Sequence, residues 1–202
     1  MRIPLNNSAF IKTILFLAFT FCIYSCGSDY TPKPRGYFRI DLPQKKYQVF
    51  DSTYPYSFEY PLYAKVIPDT DKLSEPYWTN IDFPKFKGRI NISYKKADKK
   101  SVNRFFEDSR TFVNKHIPKS DEITPEVISN KENHVYGLIY DIEGTGVAST
   151  YQFCLTDSTH HFIRGALYFN IAPNNDSLAP VIDFIKEDIR HLVKTLKWKT
   201  VK

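Results

Sequence analysis

The stretch Thr156-Asp157-Ser158-Thr159-His160-His161, with the apolar run Phe162 to Ile171, the turn Pro173-Asn174-Asn175-Asp176 and the residues on to Trp198, decides how this chain folds. Beyond the turn, apolar residues fall at Leu178, Ile182, Ile185, Ile189, Leu192 and Leu196, alternately four and three apart. That spacing predicts an amphipathic helix with one apolar stripe of about five turns. Asp183, Lys186, Glu187, Arg190, His191, Lys194 and Lys197 lie off the stripe. Asp176 or Ser177 is expected to cap the start, and Pro180 to fall in the first turn, where a missing N–H costs little. Ahead of the turn, Ile163, Gly165, Leu167, Phe169 and Ile171 alternate onto one face of a strand, and the helix is expected to cover that face.

Upstream, the same periodicities predict the remaining elements. Tyr54, Tyr56, Phe58, Tyr60 and Leu62 alternate with Pro55 and Pro61 among them, which predicts an edge strand, since proline cannot donate to a central ladder. Tyr77 to Phe83 and Arg89 to Lys95 read as two strands joined through Pro84 to Gly88, the second with Ile90, Ile92 and Tyr94 on one side and a wetter face opposite. Ser101 is a candidate cap for a helix lined by Val102, Phe105, Phe106, Ser109, Phe112, Val113 and His116, which Pro118 stops. His134 to Glu143 and Val147 to Leu155 read as a hairpin through Gly144-Thr145-Gly146. The order is two or three strands, a helix, three strands in a meander and a final helix, without βαβ alternation. It predicts an α+β fold: a single mainly antiparallel sheet with a mid-chain helix and a long C-terminal helix packed on it. That order is similar to the PsbP and Mog1-like sandwiches, an analogy that carries no activity.

The first residues set the compartment. Arg2 and Lys12 precede the uncharged run Ile14 to Tyr24, too short to span a bilayer and suited to the apolar core of a secretory signal. The run ends at Ser25-Cys26, which resembles the lipobox of bacterial lipoproteins, whose cysteine is acylated and becomes the new N-terminus. Residues 1–25 are therefore expected to be a lipoprotein signal peptide. Residues 26–36, with Pro32 and Pro34 and no apolar periodicity, are expected to form an extended tether, and residues 37–202 a single domain. Losing residues 1–25 removes Arg2 and Lys12 and no acid, so the formal charge of +6 falls by two, to +4. That mild excess, without a basic stripe or recognition motif, excludes nucleic acid as a partner. Cys154 is then the only thiol of the domain, so no internal disulfide forms and the residue reads as a small buried hydrophobe.

Asp157, Ser158, His160 and His161 bring together residue types that hydrolases use. A serine nucleophile needs a histidine in hydrogen-bond reach, a carboxylate behind it and an oxyanion hole, and no Gly-x-Ser-x-Gly elbow is present. A metal centre would draw on Asp157, His160 and His161. Neighbouring histidines on a strand point to opposite faces, and the helical two-histidine spacing of zincins is missing. Thr-Asp-Ser-Thr is in any case a good turn. Arg164, inside an apolar strand, is expected to face solvent or meet an acid.

On longer matches, the chain resembles the gliding-motility lipoprotein GldD family. They are Pro32-Lys33-Pro34-Arg35-Gly36-Tyr37, Tyr54-Pro55-Tyr56 through Glu59-Tyr60-Pro61, Trp78 with Asn80-Ile81 and Phe83-Pro84, Thr156 to Thr159, Arg164 to Phe169, and Pro173-Asn174 with Asp176 to Pro180. The resemblance implies an envelope lipoprotein needed for gliding in Bacteroidota and tied to type IX secretion. It further implies fatty acid, such as palmitate, on Cys26, which would hold the chain at the periplasm-facing outer membrane. It brings no catalytic residue, cofactor or metal. The reading that follows is a non-enzymatic assembly or scaffold component that works with other gliding and secretion proteins. Asp157, Ser158, His160, His161, Arg164 and Asp176 form its candidate interaction surface. The alternative is a binding module for envelope glycan or an exported client, and a metal-dependent or serine hydrolase comes third.

Replacing Cys26 by Ala should abolish labelling by a fatty-acid analogue and release the protein from membranes. Persistent labelling of that variant would reject the lipid assignment.

Overall fold

The computed structural model describes residues 40–199 and the isolated Lys12; Cys26, the signal and the tether lie outside the described residues. Ten strands and two α-helices are described. The main sheet is built from β3 (Lys65–Pro68), β4 (Thr79–Phe83), β5 (Gly88–Lys96), β6 (Glu122–Asn130), β7 (Val135–Glu143), β8 (Tyr151–Thr156) and β9 (His161–Phe169), in the order β3-β4-β5-β9-β8-β7-β6. All its pairings are antiparallel. Helix α1 (Ser101–Asn114) carries the chain from β5 to β6 on the far edge, and the meander β6 to β9 then closes back onto β5. Helix α2 (Asn175–Thr195) follows β9. The α+β class, the mainly antiparallel pairing and the two helices are as the periodicities require.

The stripe on α2 does what its spacing implies. Ile185, Ile189, Leu192 and Leu196 are buried in one core with Ile81, Phe83, Ile90, Ile92, Tyr94, Ile163 and Leu167 on one face of the sheet, and Ile182 is buried as well. Gly165 belongs to this face because a ring fills its place: a Cβ there would lie 2.1 Å from the Phe153 ring on β8. The other face carries Tyr140, Ile142, Cys154 and Phe162, packed against Val102 and Val113 of α1.

Several local expectations are corrected. Tyr54 to Leu62 is not an edge strand: β2 (Tyr56–Pro61) is the middle strand of a separate three-stranded sheet, between β1 (Tyr47–Phe50) and β10 (Lys197–Trp198). Pro55 precedes the strand and Pro61 ends it, so the interior N–H groups are free to pair on both sides. The Gly144 hairpin is not tight, because β8 starts only at Tyr151. The intervening loop is pinned by the Asn175 side-chain amide, which donates to the carbonyls of Gly144 (2.7 Å) and Val147 (2.9 Å). Ile171 lies beyond β9 and is exposed. Asp98, rather than Ser101, holds the start of α1 by accepting the N–H groups of Lys100 and Ser101. Neither Asp176 nor Ser177 caps α2, which begins at Asn175 and places Pro180 inside the helix. Strands β1, β3, β6 and β10 add to the expected set, so four strands rather than three lie between α1 and α2.

Asp188 joins the three-stranded sheet to α2. Its carboxylate is 2% exposed and accepts from Lys45 Nζ (2.9 Å), Tyr47 Oη (3.0 Å) and Tyr63 Oη (2.6 Å). Burial, and then Asp188 itself, raise both phenols well above the usual tyrosine range, so both remain donors. Beside this centre His191 stacks on Tyr47 at 3.6 Å and bonds Glu59 at 2.6 Å, while Thr195 Oγ1 accepts the Glu59 N–H.

Asp188→Ala should cost about 1–3 kcal/mol, since it takes the acceptor from the Tyr47 and Tyr63 hydroxyls, while Lys45 keeps Glu187 and the Phe184 carbonyl. Lys194→Glu, on the exposed side of the same helix, should cost under about 1 kcal/mol. Chemical denaturation of the two variants gives the comparison, and equal losses would deny Asp188 its central place.

Candidate functional site

The turn between β8 and β9 is built around Asp157. Its Oδ1 accepts the N–H groups of Thr159 (2.9 Å), His160 (2.7 Å) and His161 (2.9 Å), and its Oδ2 accepts the Thr159 hydroxyl (2.8 Å). Thr156 Oγ1 completes the arrangement by donating to the His161 carbonyl (2.6 Å) and accepting the Ser158 N–H (2.9 Å). Burial alone would raise the Asp157 pKa; the converging N–H donors outweigh it and hold the carboxyl at about 2. Ser158 sits at the crest with φ 69°, in the left-handed region.

Both Asp157 oxygens serve the turn, and Ser158 Oγ bonds neither histidine among the described residues. His160 projects outward, 74% exposed, with Nδ1 3.6 Å from Asp157 Oδ2. No group of three or more metal-ligating residues is assembled among the described residues.

His161 turns inward instead. Its ring stacks on Trp198 at 5.2 Å and 6°, and its Nδ1 lies 2.8 Å from Tyr94 Oη. Burial first, then Asp157 and Tyr77, push the Tyr94 phenol up to about 12, while burial lowers the His161 pKa. A protonated phenol facing a neutral imidazole makes Tyr94 the donor. Trp198 is fixed in turn by donating Nε1–H to the His134 carbonyl at 3.0 Å. Together these residues border an open cleft of about 740 Å³ that also takes in Lys96, Asn133 and Lys199.

The six residues expected to share a surface do not share one. Asp157, Ser158, His160 and His161 form this corner, whereas Arg164 lines a different cleft, under α1, and Asp176 lies in the first turn of α2. Arg164 is half-buried and, among the described residues, pairs with no acid. Its Nη2 donates to Gln152 Oε1 at 2.7 Å and its guanidinium lies 4.6 Å from the centre of the Phe112 ring. Cys154 is buried and its pKa is pushed up to about 12, chiefly by burial, as suits an inert thiol. His116 lies at the end of α1 with its pKa lowered by burial and then by Arg164. Tyr94, His134 and Trp198 had no local signal, since only the fold brings them to His161.

The fold is an α+β domain with a polar turn at the corner between β8 and β9. The chain belongs to the gliding motility lipoprotein GldD family, whose model matches residues 27–198. Membership gives it a role in gliding motility as an envelope lipoprotein. Among the described residues no helix is long and apolar enough to cross a membrane. No curated protein matches the chain. Among solved structures, the chain is similar to cyanobacterial PsbP (CyanoP) from Synechocystis sp. PCC 6803. The identity is 12%, over 80% of this chain and 97% of that one, with a TM-score of 0.42.

The depressed Asp157 pKa fixes the sign of a pH effect. A folded pKa near 2 against an ordinary 3.8 means that Asp157 stabilises the fold above about pH 4, and that this contribution of about 2 kcal/mol fades as pH falls toward 2. Asp157→Asn should therefore be less stable than the parent at neutral pH by about that amount, and the gap should narrow in acid. Denaturant titrations across the acid range measure it, and a gap independent of pH would show that the carboxylate charge does not hold the turn.

Proposed function

We propose that this chain is a non-catalytic assembly component of the gliding and type IX secretion apparatus in Bacteroidota. In this reading residues 1–25 are removed, Cys26 carries fatty acid such as palmitate, and residues 26–36 hold the 37–202 domain off the periplasmic face of the outer membrane. The observation that carries the non-catalytic part is the commitment of both Asp157 oxygens to backbone N–H and hydroxyl donors of its own turn. A carboxylate so engaged is a poor base, with its pKa held at about 2, far from the neutral range that general-base catalysis favours. The exposed crest, Ser158 and His160, is then the part of the corner offered to a neighbouring envelope protein.

A shape-based contact tolerates the loss of one small polar group, whereas members of a catalytic centre act as a unit. Ser158→Ala and His160→Ala chains, made at normal abundance, should therefore still support colony spreading at least in part. Crosslinkers placed at these two positions should capture other gliding or secretion proteins in living cells. Complete immobility of both variants at parental abundance, or stoichiometric zinc lost on changing His160, would replace this reading with an enzymatic one.

A further inference from the structure

Arg164 is held by Gln152 and Phe112. It stands half-buried on the floor of a cleft of about 650 Å³ between α1 and strands β5 and β9. Among the described residues no carboxylate comes within ion-pair distance of it. We infer that this cleft binds an organic monocarboxylate, a carboxylate carried on an apolar body, with the Arg164 guanidinium as its anion partner.

Three features support this assignment and none depends on the assembly role. The first is that Arg164 is held in place by groups that leave it charged and unspent. Gln152, 1% exposed, takes one N–H through Oε1, and Phe112 lies against the guanidinium. A planar fork fixed this way, with further N–H groups unengaged by side chains, matches the two oxygens of a carboxylate.

The second feature is the lining. Trp78, Phe112 and Tyr168 give the cleft apolar and aromatic walls, with Asn91 and Ser93 among the polar groups between them. Its volume falls in the range of small-molecule sites. The third is the charge balance, which sets the valence of the ligand. Lys95 and Lys115 also line the cleft, but Lys95 is paired with Glu75, and Asp69 and Asp108 line it as well. Set against Asp69 and Asp108, Arg164 and Lys115 leave the lining close to neutral, which disfavours phosphates and polyanions, while the guanidinium offers one charge-assisted partner.

The test uses the full chain carrying Trp198→Phe, purified in detergent, with the emission of Trp78 as one readout and the amide signals of β5 and β9 as the other. The probes are 3-phenylpropionate and acetyl-Ala-Phe, each as the free acid and as the amide. At least one acid should bind saturably, its amide about tenfold or more weakly, and Arg164→Met should lose a similar factor while keeping the parental unfolding temperature. Preference for the free small acid or for the peptide identifies the source, and either supports the assignment. Amides that bind as well as the acids, or no saturable binding of either acid, would overturn it. Were Arg164→Met not to fold, the comparison of acid and amide on the chain that keeps Arg164 decides the matter alone.

Discussion

A sheet of seven strands has two faces, and among the described residues two helices of unequal length cover them. Most of the structure follows from that imbalance. The 21 residues of α2 and the three-stranded sheet enclose one face in a continuous apolar core. The 14 residues of α1 cover only β8, β9 and their neighbours on the other, so Arg89, Asn91, Ser93 and Lys95 remain at or near solvent. The well-covered face can tolerate a buried carboxylate such as Asp188 because three donors arrive with it. The thinly covered face leaves space beside α1, and Arg164 stands there.

What was legible in the sequence was what period alone controls. The stripe on α2 and the alternation in β5, β7 and β9 were unambiguous, because each element buries one face or two distinct ones. Strands β1, β3 and β10 are four residues or fewer, too short to display a period. Strand β6 is long enough, but it is an edge: Pro125 interrupts it and Val127 points into solvent at 77% exposure, so its composition is that of a polar loop. The pairing of Lys197 and Trp198 with β2 is decided by tertiary packing and has no local code.

The candidate site divides the same way. Asp157 as the organiser of a turn follows from the chemistry of a short acid next to backbone N–H groups, and it could be read directly. Asp188 could also have been noticed, since it lies three residues after Ile185 and four before Leu192, at the spacing of the apolar stripe itself. An acid at such a position needs partners, and they come from Lys45, Tyr47 and Tyr63, more than 100 positions away. Nothing local names them. Arg164 was misplaced for a related reason: a strand residue facing a helix can be half-buried without an acid when an amide and a ring accept it.

The return of residues 197–199 to the beginning of the domain governs when the fold can close. Strand β2 is flanked by β10, the Lys199 N–H donates to the Pro55 carbonyl, and Trp198 stacks on His161. Each of these contacts joins segments that synthesis separates by tens to more than 100 residues. The small sheet therefore cannot be completed until residues 197–198 reach β2. Such high contact order makes folding slow and late, since loop-closure entropy is lost before the long-range contacts form. The small sheet thus becomes cooperative with the rest of the domain only after these far-separated segments have met.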